Sequence, residues 1–533
     1  MKDCRSFERF GTAPNHRRHD PREDVPSPRP DAPYLSTHLT TAPYLTHPVQ
    51  PIGGCIKARN EDFLVEELPL YDPVGEGEHI YLFVEKRGLS TTQLVHILAE
   101  HFSVKPDAVG YAGMKDKRAL TRQTVSIHAP GKRPENFPML RHEQLAVLWT
   151  DLHTNKLRRG HLRGNRFSIR IRACDPLRVT DAHRMLRFLE ARGMPNFFGD
   201  QRFGVRLNNH VAGRYLVTRQ HQQLLDLLLA PDPDFPSFTP LARERYAQAK
   251  FNDALSLTPK GLRTERQALT ALVKGRAPAD AVQAVDALQR RFWISAWQSA
   301  MFNRVLAERL ESDTLDVLLP GDVAIIHANG AMFRVDRATA DDPETQERAK
   351  RFEISPTGPL WGADMMTADG KPGDIERAAL AEQGVDETDL SRVVRTFGDS
   401  LAGTRRPLRV PVVEPACEGG ADEHGHFIRC AFELPPGSFA TCVLRELMKT
   451  FPLECTHIAR RGDHPVFGRD PALEPLGSWA PAPLRRIDTN STLDDDLTNR
   501  YPEYRRDAAD PPPQPQPQPQ PDDADDHEQD HDE

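Results

Sequence analysis

An aspartate stands between two lysines in GYAGMKDKRALTRQT, residues 110–124. Two readings of Asp116 are open. It is a turn residue whose charge is merely solvated, or a carboxylate kept ionised for nucleophilic or general-base chemistry. A second stretch, TNKLRRGHLRGNRFSIRIR (154–172), holds Lys156, Arg158, Arg159, Arg163, Arg166, Arg170 and Arg172 and no acid. Gly160 and Gly164 supply turns, Asn165 brings both a donor and an acceptor, and Phe167 brings a ring. A run of like charge is commonly a solvated face. Joined to a glycine loop and an aromatic, it also fits a surface that tracks phosphates and stacks a base. GMPNFFGDQRFG (193–204) reads either as an aromatic plug in a core or as support for a nucleic-acid cleft. EDFLVEELP (61–69) alternates acidic and apolar residues, as an edge strand does.

Other chemistries find no foothold. There is no H-E-x-x-H, no paired Cys/His spacing and no G-x-S-x-G turn. There is no P-loop and no G-x-G-x-x-G after a strand. The seven cysteines include no C-x-x-C pair, against a structural zinc site or a disulfide scaffold. No metal or cofactor is expected. No apolar run nears the roughly 18 residues of a membrane span, and no secretory signal is apparent, so a cytoplasmic protein is expected. Residues 491–533 carry 14 acidic and 3 basic side chains; the chain's net charge is −8, so residues 1–490 carry +3. A mildly basic body suits a polyanionic partner.

Elements to position these residues follow from periodicity. HIYLFVEKRG (79–88) alternates Ile80, Leu82 and Val84 with Tyr81, Phe83 and Glu85, predicting a strand covered on both faces. STTQLVHILAEHF (90–102) predicts a helix capped by Ser90 or Thr91. Residues 123–128 and 166–173 predict strands, the latter with one greasy and one basic face, and 181–191 a helix. Residues 291–310 predict a core helix with Trp293, Trp297, Ala300, Met301 and Val305 on one stripe. Residues 319–327 predict a turn and a buried strand; 339–350 and 376–395 predict charged helices. Residues 426–449 predict a strand, a Pro-Pro-Gly turn and a helix capped by Ser438. Residues 1–50 and the Pro/Gln-rich acidic tail bury too little apolar surface to order.

EDFLVEE, GEGEHIYL, YAGMKDKRALTRQ, HTNKLRRGHLRGNRFSI, GMPNFFGDQRFG, FWISAWQSAMFN and PPGSFATCVLREL, in that order, resemble the TruD family of tRNA pseudouridine synthases. The resemblance runs from about Ile52 to about Ala459. It implies an α+β fold: a catalytic domain with a mixed, largely antiparallel sheet, plus an inserted family-specific α/β domain. The expected boundaries are a disordered extension at 1–50, catalytic segments at 51–192 and 409–470, an insertion at 193–408, and a disordered tail at 471–533. The cleft between catalytic and inserted domains would hold RNA. By resemblance Asp116 is the catalytic residue. Phe63, Asn165 and Phe439 match positions that contact the target base, Phe167 matches an aromatic of the same motif, and Lys57 a basic residue near the site. Lys156, Arg158, Arg159, Arg163 and Arg166 would meet the RNA backbone.

The implied reaction breaks the uracil N1–C1′ bond, turns the base and rejoins it through C5, with no cofactor. The uridine, at position 13 of the D-arm region by analogy, must be flipped out of its stack. Phe63 and Phe439 would flank the ring, worth about 1–3 kcal/mol per base. Asn165 would read the uracil edge or anchor the loop that carries Asp116. Asp116 would act as a nucleophile or as a base at C2′. Lys115 and Lys117 look too exposed to hold its charge, which calls for another cation. The partner is tRNA, with no membrane and no obligate protein partner, the chain acting as a monomer. The rival class is an RNA-binding or chaperone protein on the same scaffold, which has no need of the aspartate. Phe197 stands where tyrosine is common in the family, and the extension and tail are unusual; the tail's charge should repel tRNA.

Overall fold

The computed structural model describes residues 42–204, 206–232, 239–386, 389–392, 402–450 and 453–454. Most of the N-terminal extension, residues 455–470 and the acidic tail lie outside them. Strands β1 (Phe63–Pro69), β2 (His79–Arg87), β3 (Val109–Tyr111), β4 (Leu120–His128), β5 (Leu145–His153) and β6 (Leu162–Arg172) come first. β7 (Met194–Pro195), β8 (Val323–Ile326), β9 (Met332–Arg334), β10 (Ile354–Leu360), β11 (Thr404–Pro407) and β12 (Arg409–Val410) follow, then β13 (Val413–Asp422) and β14 (Gly425–Leu434).

Among the described residues, one eight-stranded sheet runs β13-β14-β6-β1-β4-β2-β5, with β3 also on β4. Its pairs are antiparallel except β1–β4. EDFLVEELP is therefore not an edge strand: β1 lies between β6 and β4. Its acids are tolerated in the interior because each meets a cation.

Side chains alternate across a strand, so register decides what each face carries. Phe63 faces Ile169, Val65 faces Phe167 and Glu67 faces Asn165. That face packs with Ile428 and Phe432 of β14 and with helices Val179–Arg192 and Ala440–Met448 in one core. The opposite face carries a row of alternating charge over five strands. Glu433, Arg166, Glu66, Arg122 and Glu85 are joined at 2.6, 3.6, 3.2 and 2.9 Å. The basic face expected on 166–173 is thus largely matched by acids on neighbouring strands. Arg172 is buried between Asp62 and Asp422, at 2.6 Å from each.

β2 buries Tyr81 as well as Ile80, Leu82 and Val84, and covers helix Thr91–His101, which Ser90 caps in a capping box with Gln93. The chain leaves the large sheet through β7 and returns through β12, and the two are hydrogen-bonded neighbours. Between them come helices from Asn209–Val217 to Ala287–Glu311 and a four-stranded sheet, β11-β10-β8-β9. Helix Ala287–Glu311 serves two clusters rather than one stripe: Trp293, Trp297 and Met301 face one, Ala300 and Val305 the other. Pro343 divides the helix expected at 339–350 into Arg337–Asp341 and Pro343–Lys350, with Asp336 and Asp342 as caps. Helix Gly370–Glu382 stops before Gly384, at φ 63°. Ser438 does not cap helix Ala440–Met448; Phe439 holds that position, without a side-chain bond. No helix among the described residues is long and apolar enough to cross a membrane.

Order begins before residue 51. Ala42, Leu45 and Thr46 are buried against the last helix. Thr46 donates from its N to Glu446 Oε2 at 2.9 Å and from Oγ1 to the same oxygen at 3.0 Å. Arg445 lies 4.2 Å over the Tyr44 ring and 2.8 Å from Glu446. Burial pushes the Glu446 carboxyl above its ordinary pKa. Thr46→Val leaves that buried carboxylate short of a donor and should cost about 2–3 kcal/mol, read as a lowered denaturant midpoint.

Candidate active site

Residues 112–119 join β3 to β4 and carry Asp116. Several anchors hold this loop. Gly160 N donates to Ala112 O at 2.8 Å, and Gly88 N to Ala119 O at 3.3 Å. Lys115 N donates to Thr91 Oγ1 at 2.9 Å. Lys86 Nζ donates to Leu89 O at 2.6 Å and to the backbone O of Asp116 at 3.1 Å. Lys115 is not the exposed lysine its neighbours suggest. Its Nζ lies 2.6 Å from Glu67 Oε2 and 2.7 Å from Asn165 Oδ1, with the side chain 4% exposed. It closes the polar end of the apolar face where Glu67 and Asn165 stand opposite each other. Burial still pushes the Glu67 carboxyl up, against the pull of Lys115.

The carboxylate of Asp116 is 38% exposed, and Lys57 Nζ donates to its Oδ2 at 3.0 Å. Oδ1 receives no hydrogen bond among the described residues. Lys57 is 3% exposed and sits 4.8 Å over the Phe63 ring. Burial favours the neutral amine, but Asp116 and Glu454 more than reverse this and hold the Lys57 pKa above the ordinary value. Glu454 Oε1 lies 2.8 Å from the same ammonium, and Arg118 reaches Glu454 at 3.4 Å and Lys57 O at 3.0 Å.

Phe63 and Phe167 are 3% and 6% exposed and meet edge-to-face at 6.5 Å. Both belong to the core, and Phe63 bears Lys57 on its face instead of opening to solvent. Phe439 is half-buried. It follows the Pro-Pro-Gly turn after β14, whose Leu434 pairs with Asn165. A Cβ on Gly164 would lie 2.6 Å from Leu434 O, so glycine lets that turn approach Asn165. Of the expected backbone contacts, Arg166 belongs to the charged row, Lys156 donates to Asp107 O, and Arg159 bonds and stacks on Tyr111. Arg158 and Arg163 are exposed, with no acidic partner among the described residues.

The three phenylalanines of 193–204 are buried, as a core plug requires. Of its polar residues Asn196 is buried too, Asp200 and Arg202 are half-buried and Gln201 is exposed. Arg202 lies 5.3 Å and Arg406 4.4 Å over Phe198, and Arg406 donates to Gly437 O at 3.0 Å, beside Phe439. Burial, then the charge of Glu454, pushes the Asp200 carboxyl up to about 6.

Lys86, Glu67 and Glu454 were not singled out by sequence. Parity marks two of them: Lys86 continues the inward register of Ile80, Leu82 and Val84, and Glu67 that of Phe63 and Val65. A charged residue on a buried face needs a built partner. Nothing local marks Glu454.

Residues 39–447 match the family model for tRNA pseudouridine synthase D (TruD). A tRNA pseudouridine synthase D of Geobacter metallireducens is 43% identical over 410 residues, 76% of this chain and 97% of that protein. One from Thermus thermophilus is 36% identical over 413 residues, covering 77% of this chain and 93% of its own. A crystal structure from Methanosarcina mazei, described as a candidate tRNA pseudouridine synthase D, superposes with TM-score 0.69 at 28% identity. It covers 80% of this chain and all of its own.

Lys86→Met removes the donor to Asp116 O, so kcat should fall about tenfold or more with KM little changed. Burial, opposed by Asp116 and aided by Lys115, pushes the Lys86 pKa down to about 8. Between that value and the unfolded one, the unfolded chain binds more protons, so stability gained from Lys86 rises with pH. The stability of the parent relative to Lys86→Met should therefore increase from about pH 8 to 10.5, measured by urea denaturation.

Proposed function

From the premise that the chain belongs to the TruD family of tRNA pseudouridine synthases, we propose that it isomerises uridine 13 of tRNA, with Asp116 as the catalytic residue and no cofactor. The chain is a tRNA pseudouridine synthase, an isomerase. The observation that carries the catalytic assignment is the buried Lys57 ammonium bonded to Oδ2 of a half-exposed Asp116. That contact fixes Oδ2 against a cation and leaves Oδ1 for the substrate. The fit is to nucleophilic attack or to proton removal at C2′, both of which need the anion.

The remaining residues take roles by position. Phe439 stacks the extruded uracil, and Phe63 and Phe167 back the site from the core. Asn165 gives its oxygen to Lys115 and so anchors the Asp116 loop; its amide N–H groups remain for a uracil carbonyl. Arg158 and Arg163 meet phosphates, with Lys156, Arg159 and Arg166 at the margin. We assign residues 193–408 as a domain inserted between catalytic segments 51–192 and 409–470, a reading the β7–β12 pair supports. The enzyme works as a cytoplasmic monomer.

Asp116→Asn should bind tRNA as the parent does yet release no tritium from 5-tritiated uridine in tRNA; turnover in that variant refutes the assignment. Mapping pseudouridines in tRNA from cells lacking the protein should show loss at position 13. Arg158→Ala and Arg163→Ala should each weaken tRNA binding and reduce the slope of log affinity against log salt by about 0.7–0.9.

A further inference from the structure

Glu454 lies beyond residue 447, where the family match ends. It is set beside the site by the backbone: Ile56 N donates to Leu453 O at 2.9 Å, and Glu454 bridges Ile56 in parallel. Its carboxylate is as near to Lys57 Nζ as that of Asp116 is, at 2.8 against 3.0 Å. A single buried ammonium therefore divides its hydrogens between two carboxylates. Arg118, itself 53% exposed, contacts the far oxygen of Glu454 at 3.4 Å. The result is an alternating chain, Arg118–Glu454–Lys57–Asp116, with no net charge.

We propose that Glu454 is a positioning residue for Asp116, holding Lys57 from the second side so that the ammonium stabilises the catalytic carboxylate without closing over it. The inference rests on the assignment of Asp116 as the catalytic residue. Without Glu454, Lys57 would have a single acidic partner and would swing toward Asp116. The aspartate would then be more acidic, and a less basic oxygen attacks or abstracts a proton more slowly. Among the described residues, the charges near this pair are Lys57 and Arg118 by contact, Lys86 through Asp116 and Asp200 through Glu454. Of these only Arg118 and Asp200 touch or sense Glu454 besides Lys57. Arg118 acts in the opposite sense: removing it leaves Glu454 to draw on Lys57 alone and makes Asp116 less acidic.

The test uses the full chain and an unmodified tRNA transcript, with single-turnover rates from pH 5 to 9 and tRNA affinity by filter binding. Glu454→Gln should bind tRNA within about twofold of the parent, lose about tenfold in plateau rate, and move the acid limb of the profile to lower pH. Glu454→Asp should restore part of both. Arg118→Gln should move the acid limb to higher pH. A parental profile in Glu454→Gln, or a rate loss with an unmoved acid limb in both variants, overturns the proposal while Asp116→Asn remains inactive. Turnover by Asp116→Asn would instead overturn the catalytic assignment.

Discussion

The Asp116 carboxylate is held in place by a cation set where water cannot take its place. Lys57 provides that cation. It is nearly sealed from solvent, rests on the Phe63 ring and adopts φ 56°, a conformation unusual for a side chain-bearing residue. Taking an ammonium out of water is costly unless it is paired. Its two carboxylates meet that cost, and the pairing in turn fixes where Asp116 points. Lys86 does the complementary task on the backbone side. The aspartate is thus held through its main chain by one buried lysine and through its side chain by another.

Much of this arrangement was legible in the residues. Alternation in HIYLFVEKRG and the Ser90 cap gave β2 and its helix. The ordered motifs gave the family, and two residues that the resemblance names, Lys57 and Asp116, are in contact. Polarity misled at β1, because the acids of EDFLVEELP are answered by cations that only strand pairing brings near. The same cause hid the nature of Lys115, whose partners come from β1 and β6. Lys86 and Glu67 could have been read from parity alone, since each prolongs an inward-facing apolar series. Glu454 could not, because its place depends on a backbone bridge nearly 400 positions away in sequence. The segment before residue 51 looked too polar to fold. Its residues 42–50 pack through Thr46 and Tyr44, which meet a buried Glu446–Arg445 pair on the last helix.

The cationic stretch at 154–172 divides by environment. On β6, Arg166 joins a row of alternating charge that ties five strands side to side, and Arg172 is buried between two aspartates. Such a row offers little to a polyanion, and its members lie close enough that neighbouring acids screen each arginine. Arg158 in the loop and Arg163 at the start of β6 have no acidic partner among the described residues. A sequence count of basic residues overstates the surface available to phosphate, and strand register tells which part is left.

The antiparallel pair of β7 and β12 clasps the two ends of everything between residues 195 and 409. With those ends already together, closing a longer or shorter excursion costs little more, since loop entropy grows only slowly with length. The clasp fixes the two ends, while helix Ala287–Glu311 shares the core of the large sheet through Ala300 and Val305. Changes of length in the loops of that excursion leave both its ends in place, provided the helix that shares the core is kept.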